Sequence, residues 1–283
     1  MYEPIRITDP GDARIAAYRD IRERDLVGRH GRFVAEGRVV LRALLQSDAF
    51  ETESVLVLEN RVAGLAGELA LKPEGVPLYV ASGDVFDAIA GFPMHRGILA
   101  IGRRPMARQA RGLLPPGDRN GLLVACVGIA NHDNIGAIFR NAAAFGVDAV
   151  ILDETCCDPL YRKALRVSVG AVLKVPFSHG GSGGEIVKLL AEAKIEALSM
   201  SPSGGRLIDA VEPGGRKAIV LGTEGEGLPK DVLAATDPVR IAMTPGFDSL
   251  NVAAASAIAL HHLALAKNRS GPYRNVVVYS APV

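Results

Sequence analysis

Apolar and polar positions follow two different rhythms along this chain, and the change comes near residue 103. In the first part, short apolar runs are broken by polar residues. Residues 12–26 carry helical spacing, with Ile15, Tyr18, Ile21 and Leu26 on one face. Arg32–Glu36 reads as a short strand turning at Gly37, and residues 38–46 as a helix. Strands at 53–58, 77–81 and 97–101, with a helix at 83–90, complete a small α/β unit ending near Gly102. From Leu122 the apolar runs become nearly continuous. Strands are predicted at 122–129, 148–152, 172–177, 195–200, 218–222 and 239–243, and helices at 135–145, 161–167, 184–193, 231–235 and 250–267. Unbroken apolar strands alternating with helices predict a parallel sheet covered on both faces.

Residues 103–121 are rich in Arg, Pro and Gly without sustained periodicity, which marks a linker. The expected division is residues 1–105, a linker at 106–120, and residues 121–283. The loop HGGSGG (179–184) reads as a flexible connection, not a nucleotide fingerprint.

Bulk composition changes this picture little. An apolar fraction of 48% with 22% charged residues is ordinary for globular chains, and 283 residues suffice for two cores. A net charge of +1 selects no partner, but its distribution is uneven. Arg19, Arg22, Arg24, Arg29, Arg32, Arg38 and Arg42 crowd one region, interleaved with Asp20, Glu23, Asp25 and Glu36. That pattern fits a solvated face or a surface for an anionic partner. Arg103, Arg104, Arg108 and Arg111 in the linker leave the same choice open. Cys126, Cys156 and Cys157 offer no C-x-x-C spacing, so buried free thiols and no metal are expected. The start MYEPIRITDP lacks a secretory signal and no apolar run has membrane-spanning length, so a cytoplasmic protein is expected.

Candidate chemistry lies in three polar knuckles at the carboxyl ends of predicted strands, where parallel sheets bind ligands. The first is Asn131–Asn141, in which Asn134 is a candidate helix cap and Arg140 a candidate phosphate grip or a surface salt-bridge partner. The second, Leu221–Pro229, alternates glycines around Glu224; its backbone can bind a ligand, or it is simply a tight turn. It lacks the Gly-Lys-Ser/Thr of a phosphate loop and comes too late in the sheet for a dinucleotide fingerprint. The third is a strand, Arg240–Met243, running through Thr-Pro-Gly into Asp248-Ser249-Leu250-Asn251, with three candidate caps before an Ala-rich helix.

Taken in order, N-x-G-x-x-x-R (Asn134, Gly136, Arg140), L-G-T-E-G-E-G-L (Leu221–Leu228) and I-x-M followed by S-L-N-V (Ile241, Met243, Ser249–Val252) resemble the SpoU (TrmH) family of RNA ribose 2′-O-methyltransferases, of the SPOUT class. The stretch RKALRVSVG (162–170) resembles the segment between that family's first two motifs. Residues 33–37 and 95–101 are loosely similar to its amino-terminal substrate-binding domain. Ala242 and Ala253 stand where the family usually has Pro and Ser.

The resemblance implies an α/β fold: a parallel-sheet SPOUT methyltransferase domain with a carboxy-terminal trefoil knot, preceded by a small ribosomal-protein-like RNA-binding domain. It implies S-adenosylmethionine as cofactor, held by Leu221, Gly222, Thr223, Gly225, Ile241, Met243, Leu250 and Asn251. It implies a homodimer, and methyl transfer to a ribose 2′-hydroxyl of ribosomal RNA or tRNA. Asn134, Arg140, Glu224, Ser249 and Asn251 are the implied catalytic set. A non-catalytic RNA-binding protein with this fold, or a dinucleotide enzyme using the Gly225–Gly227 turn, are the rival readings.

Overall fold

A computed structural model of the chain describes residues 3–19, 27, 31–90, 96–104, 106–247 and 249–265. Arg22, Arg24, Arg29, His95, Asp248 and Lys267 lie outside the described residues.

The first sheet contains β1 (Ile5–Ile7), β2 (Arg32–Glu36), β3 (Glu51–Leu58), β4 (Leu78–Ala81) and β5 (Ile98–Arg103), in the order β1-β4-β3-β5-β2. β5 pairs antiparallel with β2 and β3, while β4 pairs parallel with β1 and β3. Helices α1 (Arg38–Leu45), α2 (Ala66–Leu69) and α3 (Gly83–Ala90) connect them. Gly37 initiates α1 at φ +88°, a conformation that favours glycine, so the strand turns there as expected.

The second sheet is wholly parallel. Its strands are β6 (Gly121–Cys126), β7 (Ala149–Leu152), β8 (Phe177–His179), β9 (Glu196–Met200), β10 (Arg206–Leu207), β11 (Arg216–Leu221) and β12 (Asp237–Arg240), ordered β10-β12-β9-β11-β6-β7-β8. The helices are α4 (His132–Ala144), α5 (Arg162–Val167), α6 (Gly183–Glu192), α7 (Lys230–Ala234) and α8 (Val252–Leu263). Alternate residues of β6 enter two separate cores. Leu122, Val124 and Cys126 pack with Ile138, Phe139 and Leu260, whereas Leu123 and Ala125 pack with Ile186, Leu190 and Val232. Both faces of each central strand are therefore dry, which is why these strands read as continuous apolar runs.

Several predicted elements are corrected. Residues 172–177 do not form a strand: Ala171–Leu173 is a buried 3-10 turn, and the strand follows at Phe177–His179. Val169 at φ +49° and Gly170 at φ +78° fold the chain back, and Pro176 cannot donate to a ladder. Within residues 12–26, the described part is a 3-10 helix, Ala13–Tyr18, capped by Asp12. The last strand ends at Arg240, so Ile241 and Met243 lie in a loop. The Gly-rich stretch at 179–184 is tied down by a reciprocal cap between Ser182 and Glu185.

The two sheets meet along a seam of rings and charges. Phe33 packs edge-on against Phe50, Phe50 lies nearly parallel to Phe177, and Phe177 meets Phe139 edge-on. Arg104 pairs with Asp158 at 2.6 Å. Burial alone would raise the Asp158 carboxyl, but the adjacent His179 ring and Arg104 guanidinium outweigh it and hold it below the ordinary carboxylate range. Buried Glu36 of β2 faces Arg162 and Arg166 of α5 at 3.7 and 3.6 Å.

Candidate active site

The first knuckle opens α4, but its cap is Asn131, not Asn134. Asn131 Oδ1 accepts from the Asp133 amide at 2.8 Å. Asn134 sits in the first turn of the helix, three residues past the cap, and is buried. Gly136 is glycine for packing: a Cβ there would lie 2.8 Å from both Ala164 O and Val167 Cβ of α5.

The three knuckles converge. Asn134 Nδ2 donates to Glu224 Oε1 at 2.6 Å. Asn251 Nδ2 donates to Asn134 Oδ1 at 3.0 Å and to Glu224 Oε1 at 2.7 Å. Asn251 Oδ1 meanwhile caps α8, accepting from the amides of Ala253 and Ala254. Both donors and both lone pairs of the Asn251 amide are thus committed, and its orientation is fixed by the helix it caps. Among the described residues Glu224 Oε2 has no partner, so this carboxylate keeps one oxygen for a ligand. Farther along α4, Asn141 Nδ2 donates to Ala253 O at 2.8 Å and Ser256 Oγ at 2.9 Å, clamping α4 to α8.

Beside this cluster lies a cavity of about 470 Å³. Of the residues predicted from sequence, Leu221, Gly222, Thr223, Glu224, Gly225, Ile241, Met243, Ser249 and Leu250 line it. Asn251 stands between two lining residues, Leu250 and Val252. Arg140 is not in the lining. It is exposed, and among the described residues it has no hydrogen-bond or ion-pair partner. The helical repeat explains this: Asn134 and Asn141, seven apart, share the face toward α8, and Arg140 projects about 100° away.

Sequence reasoning missed one wall, Met200–Ser203, which begins at the last residue of β9. The run Ser-Pro-Ser-Gly-Gly (201–205) is a polar knuckle at the carboxyl end of a strand, so the rule that found the other three applies to it as well. His262 Nε2 contacts Val211 O, and the His261 ring packs on Phe145; neither lies in the cavity. The three cysteines are free, and burial raises all three thiols, Cys157 to about 12, so none is poised as a nucleophile. Among the described residues no group of three His, Cys, Asp or Glu side chains could hold a metal ion, and no helix is long and apolar enough to cross a membrane.

Residues 121–261 match the SpoU rRNA Methylase family. An uncharacterized tRNA/rRNA methyltransferase of Mycobacterium tuberculosis is 37% identical over 94% of this chain and 93% of its own length. The chain belongs to the SpoU rRNA methylase family. More distantly, the 23S rRNA (guanosine-2′-O-)-methyltransferase RlmB of Escherichia coli K12 is 28% identical over 78% of this chain and 93% of its own. A solved RNA 2′-O ribose methyltransferase superposes with a TM-score of 0.77 at 27% identity, covering 94% of this chain and all of that one. An AdoMet-bound rRNA methyltransferase from Sinorhizobium meliloti shares the fold at a TM-score of 0.78 and 20% identity, over 92% of this chain and 97% of that one.

The SpoU-family chain makes its second knuckle by folding backbone onto backbone. A Cβ at Gly222 would sit 2.6 Å from Gly227 C and 2.7 Å from Leu228 N, and main chain cannot step aside as a flexible side chain can. Gly222→Ala is expected to open this loop, destabilising the protein by about 2 kcal/mol and lowering its melting temperature by roughly 4–8 °C. Gly225 has open space at its Cβ position, so Gly225→Ala should leave the melting temperature within about 2 °C. Thermal melts of the two variants compare them directly.

Proposed function

We propose that this protein transfers a methyl group from S-adenosylmethionine to a ribose 2′-hydroxyl of RNA, with ribosomal RNA as the favoured substrate and tRNA as the alternative. The observation that carries this reading is the convergence of Asn134, Glu224 and Asn251 at a cavity bounded by the second and third knuckles. The residues fit the cofactor. About 470 Å³ falls within the ~300–1,000 Å³ usual for small-molecule sites. Leu221, Ile241, Met243 and Leu250 offer apolar walls, and Thr223, Glu224 and Ser249 offer polar groups. Bound there, S-adenosylmethionine supplies an electrophilic methyl on a cationic sulfonium.

What the chain must add is alignment of the ribose and removal of its proton, since a ribose hydroxyl is a weak nucleophile at neutral pH. Glu224 Oε2 is free to accept from a substrate hydroxyl, while the two asparagines fix the carboxylate in place. Ser249 lines the cavity and offers a further hydroxyl. Arg140 grips the phosphate beside the target ribose and stabilises the developing 2′-oxyanion, the proton leaving by way of that phosphate. A guanidinium holds its own proton too tightly to serve as the base.

Because Arg140 projects away from its own cavity, we read the working unit as a homodimer in which Arg140 of a second copy completes the site. The exposed stripe Ala254, Ile258, His261 and Leu265 on and just beyond α8, beside Ala143 and Ala144 of α4, supports that interface. We further read residues 1–105 as a ribosomal-protein-like RNA-binding domain, 106–120 as the linker and 121–283 as the methyltransferase domain, with its end threaded into a trefoil knot and the whole working in the cytoplasm. Arg32 and Arg38 are balanced by Glu53 and Glu68, so the front arginines are less free than their number suggests.

The test is transfer of labelled methyl to cellular RNA, with ribose-methylated positions mapped in cells with and without the protein. Ribosomal RNA sites that vanish with the protein are expected. RNA affinity should fall steeply with salt, and a flat response would count against charge-driven docking. Normal cofactor binding with no transfer to any RNA would leave the non-catalytic reading.

A further inference from the structure

We propose that the seam between the two sheets forms a second RNA subsite that takes one unpaired nucleotide, its base in a ring-lined slot and its phosphate on the slot's cationic rim. This rests on the reading that the substrate is RNA. A separate cavity of about 160 Å³ opens where Phe50, Arg104, residues 106–108 and residues 173–179 meet. The half-buried rings of Phe50 and Phe177 are nearly parallel there, their centroids 6.5 Å apart and their planes 20° from alignment. Each is held edge-on from elsewhere, by Phe33 and by Phe139, at 5.6 Å. The slot is therefore rigid, and a rigid aromatic surface loses little entropy when a base stacks on it. Its volume suits a single ring, since an apolar cavity of about 150 Å³ takes up benzene.

Charge favours a nucleotide over a plain apolar ligand. Arg108 and Lys174 line the cavity, are exposed, and have no side-chain partner among the described residues. Among the described residues no carboxylate lines it, and the neighbouring Asp158 is taken up by Arg104. A phosphate is the anion that RNA brings to such a rim.

Position fits too. β8 lies three strands across the sheet from β11, roughly 14 Å at the usual strand spacing, so one RNA strand can reach both cavities. The base must be unpaired, because a base stacked in a duplex cannot enter a slot.

The experiment uses the full chain and a short single-stranded RNA carrying one 4-thiouridine. Irradiation is expected to cross-link it to peptides containing Phe50, Met106 or Phe177, and the same sequence as a duplex should not cross-link there. Phe50→Leu, which keeps apolar bulk but loses the stacking plane, should weaken RNA binding at least about five-fold. Arg108→Ser, on the surface, should reduce the slope of log affinity against log salt by about one. Both variants should bind S-adenosylmethionine like the parent in calorimetric titration. Cross-links confined to other surfaces, or parental RNA affinity and salt slope in both variants, would overturn the subsite while leaving the methyltransferase reading intact; so would slot-dependent capture of a protein in place of RNA. Absence of S-adenosylmethionine binding in the parent chain would instead strike the functional reading itself.

Discussion

Arg140→Ala is expected to lower methyl transfer by at least about a hundred-fold while S-adenosylmethionine affinity stays within two-fold. The magnitude is that of deleting one donor aimed at a developing oxyanion. The split follows from geometry, because Arg140 does not line the cavity of its own protomer and carries no structural hydrogen bond among the described residues. For the same reason its removal should leave the melting temperature within about 2 °C, as for other exposed substitutions. Arg140→Lys keeps the charge but loses the planar fork, so it should recover only part of the rate. If Arg140 acts on a second copy's cavity, mixing it with a Glu224→Gln variant should restore activity, since a mixed dimer contains one intact site. Single-turnover transfer with calorimetric cofactor titration measures each of these. Full transfer by Arg140→Ala would remove Arg140 from the mechanism.

Much of this arrangement was legible in the residues because strand ends and turns are local signals. The continuous apolar runs of β6, β7 and β11 reported a sheet buried on both faces, and the structure has that sheet with every strand parallel. The three polar knuckles marked the rim where their side chains now meet. What local pattern could not carry was direction. Asn134 looked like a cap because it precedes an apolar helical run, yet Asn131 caps and Asn134 turns inward to Glu224. Val172–Phe177 had the β-branched and aromatic content of a strand, but a left-handed pair at Val169 and Gly170 places its first half in a buried turn. Propensity lost there to tertiary packing. The wall at Ser201–Ser203 was missed for a different reason: Ser-Pro-Ser-Gly-Gly reads as an ordinary loop until its strand is known to lie beside β11 and β12.

Asn251→Asp is the substitution that isolates what holds the three knuckles together. An aspartate is as good a helix cap as an asparagine, so the bonds from the Ala253 and Ala254 amides survive. The other half of the side chain changes sign. Where the Asn251 amide donates to Glu224 at 2.7 Å, a carboxylate oxygen would face a carboxylate oxygen. It would also withdraw the donor that Asn134 Oδ1 accepts. We expect transfer to fall by about a hundred-fold and stability at neutral pH to fall by roughly 1–2 kcal/mol, the cluster being partly exposed to screening water. The sign with pH follows from the charge. Two adjacent carboxylates repel only when both are ionised, so protonating either one removes the penalty and lets an acid hydroxyl donate to its neighbour. The stability gap between parent and variant should therefore narrow as pH falls from 7 toward 5, and denaturant melts across that range measure it. Asn251→Ala loses the cap as well but adds no charge, so its gap should change much less over the same range. If the aspartate variant instead tracks the alanine variant at every pH, Glu224 is not held by Asn251 in solution, and the convergence of the second and third knuckles loses its physical basis.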